Sequence, residues 1–238
     1  MTPRVSLNPP ASHFPLRLPS GVTVHLLPGR AVLLPGNDPW LVVADVHLGK
    51  SAAFRARGLA VPEGDTAQDL AAMLDLVRLH QPARLVVNGD LFHAPSGLTA
   101  ELEEEVERFV GSLGIPLALV MGNHDAKISR LPTGVRQVSC LEHESGVRLV
   151  HDPAEAAPAE SDGRFQFHIA GHWHPAVRIA DGRRTTLRLP CFLLRGPLLI
   201  LPSFGSFTGG ASMRPEPGDR FFVAPGERVM EVPGALLR

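Results

Sequence analysis

Leu41-Val42-Val43-Ala44-Asp45-Val46-His47 decides how this chain is read. Four apolar residues in a row are too few for a helix and suit a strand buried on both faces. The run ends on a carboxylate and, two residues on, an imidazole. The arrangement returns at Leu85-Val86-Val87-Asn88-Gly89-Asp90, and again at Leu117-Ala118-Leu119-Val120, which leads into Gly122-Asn123-His124-Asp125. Three strands therefore deliver polar side chains from their carboxyl ends, where open α/β sheets keep their sites.

The connections read as helices. Residues Asp65 to His80 place Leu70, Met73, Leu74 and Val77 at i, i+3, i+4 and i+7, one buried helical face. Thr99 caps a second helix, which turns Leu102, Val106, Phe109, Val110 and Leu113 inward and spreads Glu101, Glu103, Glu104, Glu105 and Glu107 over solvent. Upstream, Val22, Val24 and Leu26 alternate with other residues, as do Val32 and Leu34 beyond Pro28-Gly29, predicting a hairpin. From about residue 138 helical periodicity fades and short strands follow at 147–150, 165–170, 187–194, 198–201 and 221–223, with a surface loop from Pro153 to Gly163. The expected fold is α/β: two packed mixed β-sheets flanked by helices, a four-layer α/β/β/α sandwich. Residues 1–238 read as one domain, with residues 1–20 an irregular segment.

A hydrophobic fraction of 44% and no apolar run near the roughly 18 residues of a membrane span argue for a soluble protein with no membrane partner. The opening residues, broken by Pro9, Pro10, Pro15 and Pro19, lack the apolar core of a secretory signal, so a cytoplasmic location is expected. The two cysteines, Cys140 and Cys191, read as free thiols. A net charge of −1 excludes nucleic-acid binding through bulk charge; any contact with a polyanion must be local.

Taken singly, each polar residue at a strand end reads as a cap or turn former. Their conjunction does not. Asp45-x-His47, Gly89-Asp90, Gly122-Asn123-His124-Asp125, His151 and Gly171-His172-Trp173-His174 all follow or end apolar runs. Carboxylate, amide oxygen and neutral imidazole suit divalent Mn, Fe or Zn better than thiolates would. Two such ions roughly 3.5–4 Å apart share a carboxylate and stabilise both the attacking and leaving oxygens at phosphorus. Asp90 is the candidate for the shared group.

These motifs, in this order over residues 45 to 174, resemble those of the calcineurin-like metallophosphoesterase superfamily. The resemblance implies that Asp45, His47, Asp90 and His174 hold one metal and Asp90, Asn123, His151 and His172 the other, with His124 facing the scissile phosphate. A narrower resemblance rests on Ala44-Asp45-Val46-His47-Leu48-Gly49-Lys50, Phe54-Arg55, Pro62-Glu63-Gly64 and the late Leu201-Pro202-Ser203-Phe204-Gly205-Ser206-Phe207-Thr208-Gly209-Gly210. These stretches are similar to the bacterial ligase-associated DNA damage response endonucleases. That branch implies a manganese-dependent phosphodiesterase cutting DNA, single-stranded by expectation, beside a ligase and a helicase in repair.

Around this set, Lys50, Arg55 and His93 are candidate substrate contacts, because they follow the first two metal motifs closely. Arg183 and Arg184, within an arginine-rich stretch from Arg178 to Arg195, are candidates for a DNA backbone track. His13, His25, His80, His143 and His168 belong to no motif, and Asp125 and Asp152 read as loop ties. Trp173 reads as packing. The rival readings are a nucleotide or cyclic-nucleotide phosphodiesterase or phosphomonoesterase, since substrate choice sits in loops, and a non-catalytic scaffold, against which the complete ligand set and His124 argue. A stand-alone DNA-binding module fits neither the charge nor the absence of a helix-turn-helix or zinc-finger pattern.

Overall fold

The computed structural model describes residues 13–18, 21–156, 167–180 and 186–237. The first sheet runs, in spatial order, β1 (Phe14–Arg17), β2 (Thr23–Leu27), β3 (Ala31–Leu34), β4 (Trp40–Val43), β5 (Arg84–Asn88), β6 (Leu117–Val120) and β7 (Val135–Val138). Its first four strands are antiparallel neighbours, and β4 through β7 pair in parallel. Crossovers through α2 (Asp65–His80) and α3 (Ala100–Leu113) join β4 to β5 and β5 to β6; the short α1 (Lys50–Ala56) precedes them.

Period-two alternation divides each central strand between two cores. Leu41, Val43, Leu85, Val87, Leu117 and Leu119 meet Leu70, Met73 and Val77 of α2 and Leu102, Val106, Phe109 and Leu113 of α3. Trp40, Val42, Val86 and Val120 point the other way, into Val147, Leu149, Phe167, Ile169, Phe192, Leu199 and Phe222 of the second sheet. The Thr99 hydroxyl accepts the Leu102 N–H at 3.3 Å as the expected cap, and Gly114 closes α3 at φ 67.

The second sheet is also mixed. It comprises β8 (Leu141–His143), β9 (Val147–Leu149), β10 (Phe167–Ala170), β11 (Pro175–Ala180), β12 (Thr186–Arg195), β13 (Leu198–Ile200), β14 (Ala211–Ser212), β15 (Arg220–Val223) and β16 (Met230–Glu231). The main path runs β14-β11-β12-β13-β10-β9-β8. The first half of β12 pairs with β11; its second half lies between β13 and β15.

One expectation needs correction. Residues 1–20 are not irregular throughout, because Phe14–Arg17 pairs with β2 from Phe14 opposite Leu26 to Arg17 opposite Thr23. On the outer face of the second sheet, Val177, Cys191, Leu193, Ile200, Phe221 and Val223 pack under Trp173, Met213 and Leu237. Both cysteines are free; burial pushes the Cys191 thiol up to about 12, so it packs as a small apolar group. Among the described residues no helix is long and apolar enough to cross a membrane.

Candidate metal centre

The strand ends of the two sheets converge. Beyond β4 and β5 the chains stay paired: Asp45 N–H donates to Gly89 O at 3.0 Å, His47 N–H to Asp90 O at 2.9 Å and Leu48 N–H to Leu91 O at 2.7 Å. Of the seven non-glycine residues with positive φ among those described, five are Asp45 (55), His47 (55), Asp90 (51), His172 (66) and His174 (46). Side chains rarely adopt this region, and such strain clusters where surrounding structure over-determines a site. The motif glycines follow from the same crowding. A Cβ on Gly89 would strike the His151 ring, on Gly122 the Asp90 carboxylate, and on Gly171 the Asp45 carboxylate.

Three groups of possible donors result, two of which include a carboxylate. Atoms of Asp45, His47 and His174 lie within 4.8 Å of one another, as do those of Asp90, His151 and His172; His47, His93 and His124 form the third, of imidazoles alone. In the first, His174 Nε2 is 3.1 Å from Asp45 Oδ1 and 3.3 Å from His47 Nε2. A single oxygen, Asp90 Oδ2, lies 3.8 Å from His47 Nε2 and 3.5 Å from His151 Nε2. Asn123 Oδ1 completes the second group at 3.2 Å from His151 Nε2. At most one proton fits between two facing imidazole nitrogens, whereas a cation satisfies both lone pairs, so this oxygen and nitrogen set fits divalent ions.

Electrostatics agree with ligation. Burial takes the His47 imidazole down to about 3, outweighing the opposite pull of Asp90, so it is neutral with a lone pair to give. Burial would raise Asp90, but the hydrogen bond and charge of His151 and the His124 N–H bring it down to about 2. The same pair lifts His151 to about 9 against its burial. A cation there would displace the proton that Asp90 and His151 share. His151 is aimed by its other nitrogen, Nδ1, which donates to Asn88 O at 3.1 Å.

The matching family profile, for calcineurin-like phosphoesterases, covers residues 39–150. The nuclease MPE of Pseudomonas putida has a similar structure, with 30% identity, a TM-score of 0.74, and coverage of 92% of this chain and 100% of that one. This chain belongs to the calcineurin-like phosphoesterase family. The phosphoesterase Yfce of E. coli (16% identity, 81% of this chain and 97% of that one, TM-score 0.41) and the Aquifex aeolicus protein AQ665 of unknown function (20%, 57% and 78%, 0.39) match more loosely. No curated protein matches significantly.

In this phosphoesterase, His124 and His93 stand beside the two donor groups. The His124 backbone N–H donates to Asp90 Oδ1 at 2.8 Å, and its ring Nδ1 meets the His93 carbonyl oxygen. Its ring stacks on His93 with centroids 5.2 Å apart and meets His47 edge-on at 4.9 Å. With Nδ1 tied back, Nε2 is the nitrogen left to face a substrate. Asp125 is a loop tie: its carboxylate accepts Phe92 N–H at 3.0 Å and Gly122 N–H at 3.1 Å, and burial pushes it up to about 6. Asp152 caps the turn at Pro153 and lies 3.9 Å from His172 Nε2.

The substrate-side candidates divide. Lys50 opens α1 within electrostatic reach of His47 and His93. Arg55 is committed elsewhere, to the Val61 and Pro62 carbonyls at 3.5 and 3.1 Å and to Glu63 at 3.3 Å. Arg183 and Arg184 lie outside the described residues, and Arg195 at the end of that stretch is held by Asp219 and Glu216. A cleft of about 400 Å³ beside α1 carries Glu63, Asp65, Glu101 and Glu105 against Arg55, a balance that repels phosphate. Sequence reasoning missed two residues. Arg57 caps the C-terminal end of α1, the helix that Lys50 opens, and only its place seven residues after Lys50 hinted at it. Asn88 is fully buried and donates through Nδ2 to Val150 O at 2.9 Å and Ile169 O at 3.1 Å, binding one sheet to the other. Its signal was a lone amide at the end of an apolar strand.

Proposed function

We propose that this phosphoesterase is a dinuclear-metal phosphodiesterase that cuts DNA endonucleolytically, as one domain, in the cytoplasm, with manganese as the working ion. Single-stranded DNA is the proposed substrate, and a repair system with a ligase and a helicase the proposed setting. The observation that carries the dinuclear reading is Asp90 Oδ2, one oxygen within 4 Å of imidazoles from both donor groups. The similarity to a nuclease along the whole of that chain supports DNA as the substrate.

In this reading Asp45, His47, Asp90 and His174 hold one ion, and Asp90, Asn123, His151 and His172 the other. Two divalent ions supply Lewis-acid polarisation of the phosphoryl group and a strong nucleophile at neutral pH. The rest is done by the chain. The strained loops fix the ligand directions before substrate arrives. His124, with Nδ1 anchored on the His93 carbonyl, presents Nε2 to the leaving oxygen, where a proton at that nitrogen stabilises developing charge or is passed on. Lys50 offers an ammonium to a flanking phosphate.

The test is cleavage of single-stranded DNA, double-stranded DNA and bis-p-nitrophenyl phosphate by metal-stripped protein with and without added Mn. Manganese-dependent cutting of single strands supports the proposal. Turnover of the small ester alone moves the natural substrate to a nucleotide, and no turnover of any substrate revives the scaffold.

A further inference from the structure

Aromatic rings are scarce in this chain: eleven Phe, two Trp and no Tyr. Among the large apolar side chains exposed in the described residues only one is aromatic, Phe207 at 36%. It is joined to the metal centre by a continuous series of rings. Phe207 meets Phe54 edge-on at 5.9 Å, Phe54 meets His93 at 5.7 Å, and His93 stacks on His124 at 5.2 Å and touches His47 at 5.5 Å. Phe54 is two ring contacts from His124, and Phe207 is three.

The outer ring is held in place. Asp69, 5% exposed on α2, accepts the Ser206 N–H with both oxygens at 2.9 and 3.1 Å. Phe204 N–H donates to Ala44 O at 2.8 Å and Gly205 N–H to Asp45 O at 3.3 Å, so the loop carrying Phe207 is sewn to the backbone that carries a metal-side carboxylate. A Cβ on Gly205 would strike Val46 O, which explains the glycine at that crossing. Cations flank the series: Lys50 opens α1, the helix that carries Phe54, and the exposed Arg57 caps its C-terminal end. Cations beside a run of ring faces and edges are the composition of a single-strand nucleic-acid track, where aromatics stack on bases and Lys or Arg neutralise phosphates. A duplex keeps its base faces covered and could not use such rings.

We infer that Phe207 and Phe54 form a stacking wall for an unpaired nucleobase beside the scissile phosphate, with Lys50 and Arg57 on the neighbouring phosphates, making these rings the determinants of single-strand preference. The inference rests on the nuclease reading above and adds the residues that would select the strand.

The test uses the Mn-loaded full chain, wild type, Phe207→Ala and Phe207→Trp, on a short oligodeoxynucleotide and on the same backbone with abasic residues in place of the bases. On the base-bearing strand, Phe207→Ala is expected to lower kcat/KM by about 5- to 150-fold, the range spanned by base–aromatic stacking, with Phe207→Trp restoring it. On the abasic strand the ratio of wild type to Phe207→Ala should shrink toward one. An undiminished ratio there, or no effect of Phe207→Ala on the base-bearing strand, overturns the stacking wall and leaves the nuclease reading standing. Wild type that turns over bis-p-nitrophenyl phosphate but cuts neither strand overturns both.

Discussion

The carboxylate of Asp45 accepts the backbone N–H of His172, 127 residues further along the chain, through Oδ1 at 3.1 Å and Oδ2 at 2.9 Å. One side chain is thus both a member of a candidate metal-binding group and a clamp between the sheets. Asparagine keeps an oxygen for that N–H but not the charge; alanine keeps neither. In metal-stripped protein Asp45→Asn is expected to stay near wild type in urea unfolding, and Asp45→Ala to lose about 1–3 kcal/mol, the cost of an unpaired buried group. Both should lose Mn-induced stabilisation. Equal destabilisation by the two would deny the clamp.

Asn88 makes a second tie between the sheets. Replacing it with leucine, similar in volume, strands the Val150 carbonyl and takes one of two donors from the Ile169 carbonyl, which still accepts the Val150 N–H at 3.1 Å. The buried orphan costs about 1–3 kcal/mol, so Asn88→Leu should be clearly destabilising although it lies outside the hydrophobic cores. Chemical denaturation checks this, and a loss under about 1 kcal/mol would contradict it.

Asp219 gives the pH dependence. Its side chain is 2% exposed, and burial would raise it, but the bonds from Arg195 at 2.9 and 2.7 Å and from Glu216 N–H hold it below 3.8. A carboxyl depressed on folding contributes stability that is present above its unfolded value, near 3.8, and is lost as pH falls through the lower folded value. Asp219→Asn should therefore cost about 1–2 kcal/mol at pH 7, with the gap to wild type narrowing below 3.8. A gap unchanged at pH 3 would refute it.

The candidate donor residues are legible in the sequence because each stands just past a short apolar run. Asp45, Asp90, Asn123 and His172 need only the strand-end rule to be found. What the local pattern does not carry is which loops meet. Asp69 and Ser206 are 137 residues apart, so nothing near Phe207 announces its anchor or its approach to Phe54. Residues 14–17 hid behind Pro15 and Pro19, which read as breakers, yet β1 is an edge strand, where a missing N–H is tolerated. The left-handed φ of two aspartates and three histidines is equally invisible, because those residue types do not ask for it.

If Asp45, His47, Asp90, Asn123, His151, His172 and His174 together hold two ions, equilibrium dialysis of metal-stripped protein against Mn should give two ions per chain for wild type. Asp90→Asn, which removes the charge of the carboxylate near imidazoles of both groups, should weaken both sites. One ion or none in wild type, or a variant that still binds two with undiminished affinity, would rule the dinuclear centre out.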